Sequence, residues 1–163
     1  MLNLILASSL VGLKIASISE GSTVAEVGPV LINPENGKFV GLLVSKIFGK
    51  NSQIISSRDI LSASKEGVVI DSMKEIVNID EIAGAKELQK NNLLGCKVII
   101  NKSFIGKVTD ASISFETMSA INIYIRNFFN ERIIPVSRIK KYDRKHNIII
   151  LEESNSAKVT QVQ

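Results

Sequence analysis

A chain of 163 residues, 45% hydrophobic and 22% charged, has room for one medium domain or two very small ones and is too apolar for a disordered segment. Tryptophan is absent and aromatics make up only 5%, so the core is aliphatic and rich in Ile and Val, a bias that favours strands over helices. The net charge of +4 is uneven: residues 1–81 hold seven basic and nine acidic side chains and residues 82–163 thirteen and seven, which makes the second half the natural face for an acidic partner.

The first segment, Met1 to Ile18, is apolar, but it lacks a basic flank and a small-residue cleavage site, and Lys14 interrupts it. It therefore reads as the opening of the fold. A polar turn at Glu20-Gly21-Ser22 leads into a strand from about Val24 to Ile32. Asn33-Pro34-Glu35-Asn36-Gly37 then closes a hairpin, because Pro presets φ and Asn-Gly tolerates the positive φ that the turn requires. Phe39–Val44 is the return strand. Ile54–Ile60 is a shorter segment broken by Ser-Arg-Asp, and Gly67–Ile70 is the last strand of the set. A helix is expected between residues 78 and 92, with Asp80 as N-cap, Ile82, Ala85 and Leu88 on one face, and Asn91-Asn92 as the stop. At ~1.5 Å per residue it is a spacer of roughly 15 Å whose apolar stripe packs on one or both neighbours. The strand signals then return: Leu94–Ile100, a turn at Asn101–Ser103, Ile105–Ile113, a looser connection at Phe115–Met118, Ala120–Ile125, Ile133–Ile139 and Asn147–Leu151. Residues 155–163 have no periodicity and are expected to fray. No stretch approaches the ~20 apolar residues of a membrane span.

The blocks repeat in order. Leu10-Val11-Gly12-Leu13-Lys14-Ile15 returns 83 residues later as Leu93-Leu94-Gly95-Cys96-Lys97-Val98. Val24–Val27 and Val40–Val44 return at an offset of 81 as Ile105–Val108 and Ile121–Ile125. Ile55–Ile60 returns at 79 as Ile134–Ile139, and Val69-Ile70 aligns with Ile148-Ile149 at the same offset. Such small drifts fit insertions in loops between preserved strands. Units of this size bury too little surface to be robust alone, so the two copies are expected to lean on each other.

Each copy resembles the PRC-barrel domain family. In the first copy the resemblance rests on Leu10–Ile15, Val24–Val27, Ile32-Asn33-Pro34-Glu35-Asn36-Gly37-Lys38, and Ile60 leading to Gly67-Val68-Val69-Ile70-Asp71-Ser72. In the second it rests on Leu94–Val98, Ile105-Gly106-Lys107-Val108 and Ile133–Ile139. Two departures stand out: Ala25 occupies a place where the family favours Gly, as at Gly106, and the second copy has lost the Asn-Pro-Glu-Asn-Gly turn. The resemblance implies an all-β (mainly β) fold of two tandem small PRC-like β-barrels joined by a short α-helix. The expected boundaries are 1–77 for the first repeat, 78–92 for the linker helix, 93–154 for the second repeat and 155–163 for a flexible tail. It also implies a habit of acting as a docking module.

The side chains offer no catalytic constellation. His146, the single histidine, sits in a hairpin tip, and Cys96 opens an apolar strand, where a buried and inert thiol is expected. One His and one Cys leave no paired metal ligands, and glycines scattered singly make no phosphate cradle, so neither metal nor cofactor is expected. Two surface groups are candidates for partner binding. The first is the basic run Arg138, Lys140, Lys141, Arg144 and Lys145, interleaved by Tyr142 and suited to phosphates or to the acidic face of a protein. The second is Phe128-Phe129: one ring is expected to cap the barrel end while the other packs on the helix or forms a hot spot for a protein partner. The expected function is a non-enzymatic, cytoplasmic protein-binding or adaptor module, with a protein or a second copy of the chain as partner and no membrane contact. The alternative is an RNA-metabolism or ribosome-associated factor that binds through the basic run.

Overall fold

β-Branched runs set the elements, and glycine- and asparagine-containing turns punctuate them. The computed structural model describes residues 3–45 and 52–153. In chain order these form β1 (Leu4–Leu6), the single turn α1 (Ala7–Leu10), β2 (Lys14–Ser17), β3 (Ser22–Ile32), β4 (Phe39–Val44), β5 (Gln53–Ser56), β6 (Ile60–Ser64), β7 (Gly67–Ile70), β8 (Ile76–Asn78), α2 (Ala85–Leu88), β9 (Lys97–Ile100), β10 (Ser103–Ser114), β11 (Ser119–Arg126), β12 (Glu131–Pro135), β13 (Ile139–Asp143) and β14 (Ile148–Leu151). Short 3-10 turns precede β6, β8, α2 and β13. The expected tail at 155–163 lies outside the described residues.

The fold is mainly β, as the composition implies, and consists of two seven-stranded sheets. The first runs β6-β7-β2-β3-β4-β5-β8; the second runs β12-β11-β10-β9-β14-β13, with β1 joined to β10. Among the described residues neither ladder closes on itself, and one of the two sheets curls into a half-barrel. The long strands supply the bend. β3 pairs with β2 through Ser22–Glu26 and with β4 through Val27–Ile32. β10 likewise passes from β9 to β11 at Lys107, with register shifts on either side, and such bulges strengthen the local twist.

The two halves repeat in register as well as in strand order. Leu31↔Gly41, Val30↔Leu42 and Val27↔Val44 return as Ser112↔Asn122, Ala111↔Ile123 and Val108↔Ile125. Gly12 and Gly95 adopt φ of 88° and 100°, and each donates its N–H at 2.8 Å to a carbonyl of the long strand, Val27 or Val108. One alignment is corrected: β2 pairs Ile15 with Val68, and β9 pairs Val98 with Ile149, so the last strands correspond at an offset of 81 and not 79. A second correction concerns Phe115–Met118. It is a tight turn flanked by the pair Ser114↔Ser119, because Met118 accepts φ of 53° where Gly37 takes 75°.

That turn forms half of the seam between the sheets. Phe39 donates its N–H to Met118 O at 3.0 Å, and Ala120 donates to Gly37 O at 2.8 Å, around an antiparallel bridge between Lys38 and Ser119. These positions correspond in the repeat, so the two hairpins meet as the same patch meets itself across a twofold axis. The segments ahead of each repeat also cross over. β1 pairs with β10 through Leu4↔Ser114, Ile5↔Ile113 and Leu6↔Ser112, and Ser8 hydrogen-bonds Asp110. In the other direction, Asn92 reaches β3, with Oδ1 accepting from Ile32 N at 2.9 Å and Nδ2 donating to Val30 O at 2.7 Å. One buried cluster, including Leu10, Ile15, Ile32 and Leu42 with Ile113, Ile123 and Ile149, runs through both halves.

The linker differs from the expected helix. Asn78, not Asp80, caps a 3-10 turn over Ile79–Glu81, with Glu81 returning to the Asn78 backbone. Gly84 then turns left-handed at φ 77°, which breaks helical continuity, and only one α turn follows. Asp80 pairs instead with Lys86 at 3.6 Å. Ile79, Ala85 and Leu88 close over Leu31, Leu43 and Ile54, making a second, smaller core on the outer face of the first sheet.

Candidate docking surface

Asn127 builds the β11–β12 hairpin tip. Its N–H donates to Asn130 O at 3.0 Å, its Oδ1 accepts from the N–H groups of Phe129 and Asn130, each at 2.9 Å, and its Nδ2 donates to Ile105 O at 3.1 Å. The turn is thus held by polar bonds alone and needs no packing from the residues at its apex. Phe128 and Phe129 are 98% and 92% exposed, with ring centroids 6.4 Å apart. The expectation that one of them caps a barrel end is overturned: both stand in solvent. Behind them, across β9, β10 and β11, the pairs Lys97↔Lys107 and Lys107↔Arg126 place three basic side chains in one exposed row. Arg126 bonds Glu131 at 2.8 Å at the end of that row.

The basic run on β13 and its turn does not form one free face. Arg138 Nη2 donates to Glu152 O at 2.6 Å, and Arg144 bridges Glu35 at 3.4 Å and Glu87 at 3.6 Å, tying the second half to the first hairpin and to α2. Lys140, Lys141 and Lys145 are exposed. Exposed pairs such as those of Arg144 contribute at most about 1 kcal/mol each. Tyr142 is half-buried and packs on the core, with its hydroxyl donating to Asn147 Oδ1 at 2.8 Å. His146 is exposed in the turn, where its Nδ1 lies 2.8 Å from Asp143 Oδ2; that bond holds the Asp143 carboxyl below its ordinary range.

Cys96 is fully buried, as expected, and its Sγ lies 3.1 Å from Asn92 O and 3.2 Å from Asn147 Oδ1, the two acceptors open to its one proton. Burial pushes the thiol up to about 12 from its ordinary 9.0, and Tyr142 rises to about 12 from 10.0, again chiefly through desolvation. The folded state therefore keeps a proton that the unfolded chain loses around pH 9, so the Cys96 contribution is constant well below pH 9 and stability falls between pH 9 and 12. Urea midpoints should decline across that window, with Cys96 accounting for a loss on the order of a few kcal/mol by its upper end. In Cys96→Ala the decline should begin only near pH 10, where Tyr142 starts to contribute.

No local pattern marks a further pair, Tyr124 and Ile133. They sit opposite each other on β11 and β12, and Ile133 is 59% exposed. Comparison of outward-facing positions between the two repeats is the signal that finds them. Leu43 and Ile54, their counterparts at offsets of 81 and 79, are buried under the linker. Among the described residues no group of three His, Cys, Asp or Glu side chains converges, and no helix is long and apolar enough to cross a membrane.

The chain is thus mainly β, two bent sheets with exposed aromatic and basic groups at one hairpin. Residues 2–77 match the PRC-barrel domain family. No curated protein matches the chain.

Proposed function

We propose that the chain is a non-enzymatic docking module of two tandem PRC-barrel-like halves, and that it holds a protein partner through the Phe128–Phe129 tip. One observation carries the reading: two adjacent phenylalanines stand almost wholly in water on a turn that polar bonds have already ordered. Exposed paired aromatics on a rigid support suit a binding hot spot, since little backbone entropy of the turn remains to be lost on association. The second half supplies the basic surroundings for a partner with an acidic rim. The RNA reading draws less support, because Arg138 and Arg144 are engaged within the chain and Tyr142 is turned toward the core. A single buried thiol is consistent with a cytoplasmic setting.

The test is affinity capture by the tagged chain from its native lysate, treated with nuclease and washed at high salt, alongside Phe128→Ser/Phe129→Ser. The double variant should keep its unfolding midpoint within about 0.5 kcal/mol, since neither ring packs on the core. It should also lose the captured protein. Capture that survives in the double variant, or that vanishes with nuclease in the parent chain, overturns the reading.

A further inference from the structure

In the first half the outward side chains Leu31, Leu43 and Ile54 are hidden because residues 76–88 cross over them. β8 extends the sheet beyond β5 through Gln53↔Asn78, Ile54↔Val77 and Ile55↔Ile76, and Ile79, Ala85 and Leu88 then close over the face. The repeat places Ser112, Tyr124 and Ile133 in the corresponding positions. Ser112 is buried and paired with Leu6 of β1, but among the described residues nothing pairs with the outer edge of β12 or lies over Ile133.

The backbone of that edge is available for pairing. The bond from Asn127 N to Asn130 O makes these two a hydrogen-bonded pair, so antiparallel alternation turns the N–H and C=O groups of Glu131 and Ile133 away from β11. One row nearer the tip, Lys97, Lys107 and Arg126 line the same face with only Glu131 to offset them.

We infer that this surface takes an extended, acidic segment of a partner protein, which pairs antiparallel with β12 as β8 pairs with β5 and covers Tyr124 and Ile133 with its apolar side chains. The inference rests on the docking reading above and specifies how the partner is held: by strand addition beside an aromatic anchor. The molecule contains its own example of such a segment. Around β8, Glu75-Ile76-Val77-Asn78-Ile79-Asp80-Glu81 joins apolar residues to three carboxylates. Charge favours a partner of this kind over the same basic face of a second copy, and over residues 154–163, which include Lys158 and no carboxylate.

The probe is a synthetic peptide with the sequence Lys74–Glu81, added to the full chain while amide hydrogen exchange is followed residue by residue. At about ten times its Kd the peptide should slow exchange at Glu131 and Ile133 about tenfold. A peptide with Glu75, Asp80 and Glu81 replaced by Lys should bind at least about tenfold more weakly. Ile133→Pro removes an outward donor at an edge position where the fold tolerates proline, so this variant should keep its melting temperature and lose the peptide. The inference falls if the peptide slows neither amide, or if both exchange slowly without it, which means the edge is already covered by the chain itself or by a second copy. In the lysate capture, loss of the partner with Phe128→Ser/Phe129→Ser but not with Ile133→Pro leaves docking standing and removes strand pairing. Retention in both removes both.

Discussion

Replacing Phe39 by alanine is expected to cost about 3–5 kcal/mol and to unfold both halves of the chain together. Phe39 is 2% exposed and meets Phe115 of the other half edge-to-face, with centroids 5.3 Å apart and planes at 65°. Truncation removes the buried ring and opens a void at the point where the hairpins pair through Phe39, Met118, Gly37 and Ala120. Because one buried cluster spans the seam, the loss belongs to neither sheet alone. Calorimetry should therefore give a single transition in the parent chain and again in the variant, lowered by about 10 °C. Two resolved transitions, with only one displaced, would show that the halves are stable separately.

Gly106→Ala should be the most damaging change of a single methyl group, at about 2–3 kcal/mol or more. Gly106 holds φ of 143°, a region closed to other residues, and a Cβ there would lie 2.5 Å from the Arg126 carbonyl oxygen and 2.8 Å from its carbon. Backbone cannot move aside as a flexible side chain would, so β10 and β11 must separate at the base of the Phe128–Phe129 tip. The repeat provides the control. Ala25 occupies the corresponding place in the first half, beside the same register shift, yet without positive φ. Ala25→Gly should cost no more than about 1 kcal/mol. Urea denaturation of the two variants side by side decides the matter: equal losses would mean that the Gly106 conformation carries no special strain.

The strand order was legible because runs such as Val40–Val44 and Ile121–Ile125 are β-branched and bounded by turn residues, and because each run occurs twice. The three-residue strands were not. β1 and β8 are too short to show a period, and each is held in place by a longer strand elsewhere in the chain, β10 or β5. The linker misled for a local reason. Ile82, Ala85 and Leu88 have helical spacing, yet the left-handed Gly84 leaves room for a single turn. The candidate site was half legible. The rule that places phenylalanine inside runs in one direction only, and Asn127 closes the tip without help from either ring. The basic run looked continuous in sequence, but Arg144 finds carboxylates on two other segments, Glu35 and Glu87, that no local pattern associates with it.

The crossing of β1 onto β10 also orders events during synthesis. Leu4 pairs with Ser114, a residue added 110 positions later. At roughly 5–20 residues per second, the ribosome leaves the first strand without its partner for about 5–20 s. Over that interval the first half emerges with Phe39 and the apolar face of Leu10 still waiting for the second. Closure entropy for so long a loop must be met before any contact across the seam rewards it. A strand of the second half thus completes the first strand of the chain, and a nascent copy stalled before β10 leaves β1 unpaired and Phe39 without its partner ring.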